Sequence, residues 1–283
     1  MKFNNPTAEI YIPDGLNGEE ALGRITHLGI GAHQDDLEFM AFHGIVACYQ
    51  KPDQWFGGVT CTNGAGSARS AAYQDCDDDR MRTIRRREQN LAAEIGQYGV
   101  MIQLDYTSSV VKTAGTTMLR DDLSGVLRQM RPKVIYTHNP ADKHETHIGV
   151  AVSVIEALRE LPHGLRPGSV YGCEAWRDLD WLPDAEKVVL DLSGHERLAA
   201  ALNGVFDSQI AGGKRYDLGV IGRRRANATF FESHSVDCSD SLAFAMDLTP
   251  LIRDDSLDIA DYVEGYIERF REEVRSKLRA RLG

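Results

Sequence analysis

The chain has 283 residues, of which 42% are hydrophobic, 26% charged and 8% aromatic, the balance of a folded globular protein rather than a disordered or fibrous one. A formal net charge of −10 disfavours nucleic acid as a partner, because that binding rests on neutralising phosphates with Lys and Arg. Five widely spaced cysteines without a C-x-x-C pair point to reduced thiols rather than a disulfide frame, and the polar N-terminus and lack of any ~18-residue apolar run predict a cytoplasmic protein without signal peptide or membrane span.

Residues 1–23 are polar, include Pro6 and Pro13, and read as an irregular lead-in. The apolar run 25–32 reads as a strand buried on both faces, as in parallel sheets. Helix-like apolar spacing follows over 37–49, then a strand at 56–62 closed by the loop Asn63-Gly64-Ala65-Gly66-Ser67. The acidic turn 75–79 precedes a helix with Ile84, Glu88, Leu91 and Ile95 on one side. A strand at 100–106, a helix with the stripe Met118, Leu119, Leu123, Val126, Leu127 and Met130, and a strand at 133–137 continue the alternation. That order predicts βαβ units, hence an α/β fold with a mainly parallel sheet and ligands at the carboxyl ends of its strands.

An apolar helix is expected over 148–161. Beyond Pro162 the pattern loosens: strands are expected at 169–175 and 187–192, a helix at 196–209 and a short strand at 228–231. Ile259, Val263, Tyr266, Phe270, Val274 and Leu278 mark a long amphipathic helix over about 257–280. No repeat or clear linker interrupts the chain, so one domain over 1–283 is expected.

Two polar clusters directly follow predicted strands: His33-Gln34-Asp35-Asp36, and the segment from His138 to His147 that contains Asp142 and His144. Both fall at the same edge of the sheet. Zinc hydrolases commonly hold the metal with three His, Asp or Glu side chains and leave a position for water. His33, Asp36 and His147 supply such a set, and Asp35 stands beside them as a base for the water proton. Aspartate also caps helix starts, and either cluster alone reads better that way. Two such groups, each after a buried strand of one sheet, are hard to obtain from capping alone.

The remaining polar features have plainer readings. His27 and His43 read as packing histidines. Arg223-Arg224-Arg225 reads as a surface basic patch, with contact to an anionic substrate group as its alternative. Trp176 and Trp181 suit core packing and stacking on a sugar face equally well.

Ala32-His33-Gln34-Asp35-Asp36-Leu37-Glu38, followed by Gly44, resembles the AHPDD signature of the PIG-L/LmbE family of zinc-dependent N-deacetylases. His138-Asn139-Pro140-x-Asp142-x-His144-x-x-His147 resembles its second motif, with supporting matches at Asn63 to Ser67, Arg85-x-x-Glu88 and Ser208-Gln209. The resemblance covers about residues 25–231. It implies a Rossmann-like fold with helices on both faces of the sheet, and one zinc ion per chain on His33, Asp36 and His147. It further implies removal of an acetyl group from the amide nitrogen of an amino sugar or related glycoside. By position Asp35 resembles the general base, and His144 the histidine that stabilises the oxyanion or protonates the departing amine. Arg85 and Asp142 are the expected substrate contacts, with Arg82, Arg86 and Arg87 as alternatives to Arg85. The implied partner is a small N-acetylated glycoside, not nucleic acid or membrane, and the last helix would suit a homo-oligomer.

Two positions depart from the family pattern. Gln34 replaces the usual proline and is expected to loosen the turn. Thr146 replaces an aspartate that would hold His144 charged, leaving Asp142 or Glu145 to stand in. Three rival functions use the same residues: an amidase of thiol-type glycoside conjugates, a non-haem iron oxidoreductase built on a two-histidine, one-carboxylate triad, and a non-catalytic sugar-binding protein. The iron triad has no need of Asp35.

Overall fold

The computed structural model describes residues 1–282. Eight strands, β1 (Glu9–Tyr11), β2 (His27–Gly31), β3 (Phe56–Thr62), β4 (Val100–Tyr106), β5 (Val134–His138), β6 (Ser169–Cys173), β7 (Val188–Asp191) and β8 (Leu242–Asp247), form one sheet. Its order is β1-β4-β3-β2-β5-β6-β8-β7. The five strands from β4 to β6 in that order are mutually parallel, whereas β1, β7 and β8 add antiparallel pairings at the two sides. The fold is therefore α/β with a mixed, mostly parallel sheet.

Every residue of β3 and β4 is buried, as a parallel strand covered on both faces requires. One face packs Leu28, Ile30, Val59 and Ile135 against Val150, Val154 and Leu158 of the helix Glu145–Arg159. The other packs Phe56, Met101 and Tyr136 against Leu37, Phe42 and Ile45. On that second face the helix Phe42–Cys48 lies so close that a Cβ at Gly44 would stand 2.5 Å from the Tyr136 ring. Only glycine allows that approach, and it holds the segment after β2 hard against the sheet.

Several elements differ from expectation. The helix expected over 37–49 is two, Asp36–Met40 and Phe42–Cys48, broken at Ala41 with φ −102° and ψ 15°. The expected 196–209 helix is likewise divided into Glu196–Gly204 and Asp207–Ile210. The lead-in is ordered: β1 pairs with β4, and Asn17 caps the helix Gly18–Gly23 by accepting the Glu19 N–H at 3.0 Å. Residues 228–231 are not a strand but the end of the helix Tyr216–Phe230. Its inward stripe consists of Arg224 and Ala228, so no apolar periodicity advertised it. Strand β8 was also hidden, because two of its six residues are alanine, which has weak β preference.

The helix Ile259–Leu282 is as expected, although only Val263 and Tyr266 on it are buried. All five cysteines are unpaired. Among the described residues no helix is long and apolar enough to cross a membrane.

Candidate active site

The two polar clusters meet because β2 and β5 are adjacent and parallel, so their carboxyl ends open onto the same place. Beyond β2 the chain turns through His33 and enters a helix at Asp36, whose Oδ2 accepts the His33 N–H at 2.7 Å. Beyond β5, Asp142 accepts the N–H groups of Lys143 at 2.6 Å and His144 at 3.2 Å, and the next helix carries His147 in its first turn. Both loops are thus folded by carboxylates that satisfy free N–H groups at a helix start. The capping reading and the metal reading share the same side chains.

His33 Nδ1 lies 3.3 Å from Asp36 Oδ2, His147 Nε2 lies 3.6 Å from the same oxygen, and the two ring nitrogens are 3.3 Å apart. Donors about 2.0–2.1 Å from a tetrahedral zinc stand about 3.3 Å from one another, so the triangle has the edges such an ion needs. His147 Nδ1 faces Asp142 Oδ2 at 3.2 Å, which puts the ring proton there and turns the Nε2 lone pair toward His33. Three electron-pair donors so placed repel one another, and a metal ion between them, or a proton on one of the rings, relieves that. A second buried grouping, His138, Asp142 and His147, also brings ligand atoms together. There His138 Nε2 accepts the Ala32 N–H at 3.0 Å, and Asp142 accepts from the N–H groups of Lys143, His144, Trp176 and Arg177 besides facing His147 Nδ1.

The electrostatics agree with that division of labour. Burial alone would raise the Asp36 carboxyl, but His147 and His138 outweigh it and hold it well below the usual range. Burial pushes His138 down to about 4. It would also lower His147, were it not for Asp36 and Asp142, which raise that group above its ordinary value.

Asp35 has φ 98° and ψ −30°, outside the regions that residues with a Cβ normally occupy. Its N–H donates to Gln89 Oε1 at 3.2 Å, and Gln89 is held in turn by Glu38 at 2.9 Å. Burial raises the Asp35 carboxyl well above the ordinary range; Arg85 opposes the rise, while Asp36, Glu38 and Glu88 add to it. Arg85 Nη2 stands 3.2 Å from Asp35 Oδ2, and the same guanidinium donates to the Gln34 carbonyl and the Ser67 hydroxyl.

Residues 28–158 match the family model described as PIG-L: GlcNAc-PI de-N-acetylase. No curated protein matches the chain. Among solved structures, the conserved protein TT1542 from Thermus thermophilus has 17% identity and a TM-score of 0.58, covering 78% of this chain and 93% of its own. The N,N'-diacetylchitobiose deacetylase of Pyrococcus horikoshii gives 17%, 0.58, 78% and 83%. GalB, the 4-carboxy-2-hydroxymuconate hydratase of Pseudomonas putida, gives 17%, 0.55, 80% and 96%. At these identities the likeness is one of fold, and that fold serves a hydratase as well as deacetylases.

A cavity of about 560 Å³ opens beside the His33–Asp36–His147 triangle, a size suited to a small ligand. His33, Asp35, Asp36, Arg85 and His144 line it. Asp142 does not: its side chain is fully buried against His147, so it is placed to orient that ring, not to meet substrate. Gln34 does not loosen the turn either. Its Nε2 donates to Thr62 O at 3.0 Å and lies 3.2 Å from Gln103 Oε1, which ties the turn to β3 and β4. A Cβ at Gly64, where φ is +67°, would lie 2.4 Å from Gln34 Oε1, so the family's glycine loop and this glutamine fit each other.

Among the described residues no carboxylate holds the His144 ring. Its Nδ1 is buried without a partner, Asp142 binds its backbone, and Glu145 reaches instead toward Lys112 at 3.9 Å. Burial, His147 and His33 push the His144 ring down to about 4. The far wall comes from outside the matched segment: Glu174, Trp176, Lys214, Tyr216, Arg223 and Arg224. Arg223 and Arg224 are therefore not surface patch, whereas Arg225 is exposed and pairs with Asp240 at 3.2 Å. Sequence reasoning did not single out Glu174, Lys214 or Tyr216, and no local motif marked them.

Proposed function

We propose that this protein is a metal-dependent N-deacetylase that hydrolyses the acetamide of an amino sugar or related glycoside, with zinc held by His33, Asp36 and His147. One observation carries this reading: three converging electron-pair donors, edges 3.3, 3.3 and 3.6 Å, border a cavity that Asp35 and His144 also line. The PIG-L match over the residues that build this site ranks amide hydrolysis above the hydration named for GalB. The deacetylase named for Pyrococcus horikoshii supports the same choice.

A zinc ion there supplies Lewis acidity, polarising the acyl oxygen and lowering the pKa of water from 15.7 toward about 7. Asp35 takes the proton of the attacking water, its carboxyl aimed by Arg85 and its backbone by Gln89. His144, on the cavity wall beside His33 and His147, turns a ring N–H toward the oxyanion as the carbonyl becomes tetrahedral. The departing nitrogen takes the proton that Asp35 received from the water, and acetate and the free amine leave.

The test is metal analysis of the purified protein, followed by acetate release from a panel of N-acetylated glycosides before chelation, after chelation and after zinc is returned. One zinc per chain and zinc-restored acetate release are expected. Stoichiometric iron with oxygen-dependent turnover, or zinc binding without acetate release from any compound, would overturn the reading.

A further inference from the structure

The cavity wall away from the His33–Asp36–His147 triangle has a charge balance opposite to that of the chain. Asp35 is matched by Arg85, and Asp36 faces three histidines. What remains on the lining is Lys112, Lys214, Arg223 and Arg224 against the single carboxylate Glu174, in a protein of net charge −10. Among the described residues, Lys214, Arg223 and Arg224 form no ion pair. Arg223 donates to the carbonyls of Ala175 and Trp176, and Arg224 to those of Glu38 and Phe39, both at 2.9 Å. Carbonyls satisfy N–H groups without cancelling charge. Arg224 is only 4% exposed, and its Nε is buried without any partner.

Glu174 offsets part of the charge of Arg223 and Arg224, and Arg224 lies 4.6 Å over the Phe42 ring; the positive excess that remains is costly to hold away from water, and an acidic ligand would supply the missing counter-charge with charge-assisted hydrogen bonds. The rest of the wall suits a ring. Trp176 and Tyr216 meet edge to face at 5.7 Å, and Lys214 Nζ lies 5.6 Å from the Trp176 ring centre. Glu174 Oε1 is held by Asn227 Nδ2 at 2.6 Å and the Phe244 N–H at 3.1 Å, while its Oε2 is buried and unpartnered.

We propose that this wall is an oxyanion subsite: the ligand is an N-acylated amino sugar carrying a carboxylate, phosphate or sulfate away from the amide. The acid group lies among Lys214, Arg223 and Arg224, the ring rests against Trp176, and a hydroxyl donates to Glu174 Oε2. The deacetylase reading enters only in saying which bond is cut.

The experiment compares N-acetylglucosamine with N-acetylglucosamine 6-phosphate, N-acetylglucosamine 6-sulfate and N-acetylglucosaminuronic acid. Each is assayed for acetate release and, separately, for binding by calorimetry to the zinc-loaded protein. At least one acidic compound is expected to exceed the neutral one about tenfold in kcat/KM and in affinity. That ratio should fall about tenfold in Lys214→Ala/Arg223→Ala, whose fold is checked by its melting transition. The preferred acid identifies the oxyanion. If all three acidic compounds are used and bound no better than the neutral one, the subsite is overturned and the deacetylase reading stands. If none releases acetate but the acidic ones bind more tightly and the double substitution abolishes the difference, the subsite stands and the deacetylase reading falls. No release together with no difference in binding overturns both.

Discussion

Arg85 Nη2 lies 3.2 Å from Asp35 Oδ2, and their side chains are only 4% and 7% exposed. The pair does more than balance charge. Asp35 occupies a backbone region of positive φ that costs of order 1–3 kcal/mol to hold, and Arg85 clamps the preceding carbonyl of Gln34 while Gln89 accepts the Asp35 N–H. The strained residue is fixed from both sides, with its carboxylate toward the cavity.

If Asp35 is the proton acceptor, Asp35→Asn removes the base and leaves the three metal-binding side chains intact. Zinc content should stay at one per chain while turnover falls about 10²–10⁴-fold. Metal analysis beside an acetate-release assay checks both; near-normal turnover would refute the assignment.

Asp142→Ala strips His147 Nδ1 of its partner and frees backbone N–H groups of Lys143 and His144. Orienting carboxylates of this kind are commonly worth about 10–100-fold in metal affinity. Competition with a chelator of known affinity should show a loss of that size, and unchanged zinc binding would show that the ring is held by packing alone.

Ser208→Ala tests how the segment 28–158 is joined to the C-terminal part of the chain. Glu88 accepts the Ser208 N–H at 2.7 Å and its hydroxyl at 2.6 Å, across 120 residues of sequence. Removing the hydroxyl leaves a buried carboxylate oxygen unpaired, which costs about 1–3 kcal/mol. The urea midpoint should drop with little change in slope; an unmoved midpoint would mean that water takes over the bond.

His27 and His43 predict the acid limb of stability. Burial lowers both below the ordinary 6.5, joined for His27 by His43 and Lys133 and opposed for His43 by Asp191. The unfolded chain therefore takes up protons on these two rings first as pH falls, so their contribution is complete above about 6.5 and declines below it. Buried carboxyls held above their ordinary values, Glu38 at about 7 among them, run the other way, so the histidine share is read as a difference: between pH 8 and 5 the urea midpoint of His27→Gln should lose ground relative to its own pH 8 value less than the parent does, and an identical pH profile in the variant would exclude His27 as a source.

Much of this was legible in the residues. The bounds of β3 and β4 were readable to the residue from short apolar and β-branched runs closed by turn signals, although Thr60, Thr62, Gln103 and Asp105 interrupt them. The triangle was readable because its members lie two to nine residues beyond strand ends that sheet topology brings together. Asp142 was misread because a carboxylate inside a loop motif looks the same whether it faces substrate or the back of a ligand. The helix Tyr216–Phe230 was missed because its buried face is an arginine and an alanine.

From the order of residues alone came the alternation of apolar runs, the parallel sheet and the two clusters at its edge, since each rests on short-range periodicity and on strand adjacency. The far wall of the cavity was decided only in three dimensions. Glu174, Trp176, Lys214, Tyr216, Arg223 and Arg224 come from separate segments with no shared spacing. A charged side chain reads as solvent-facing until the packing around it shows that it points inward.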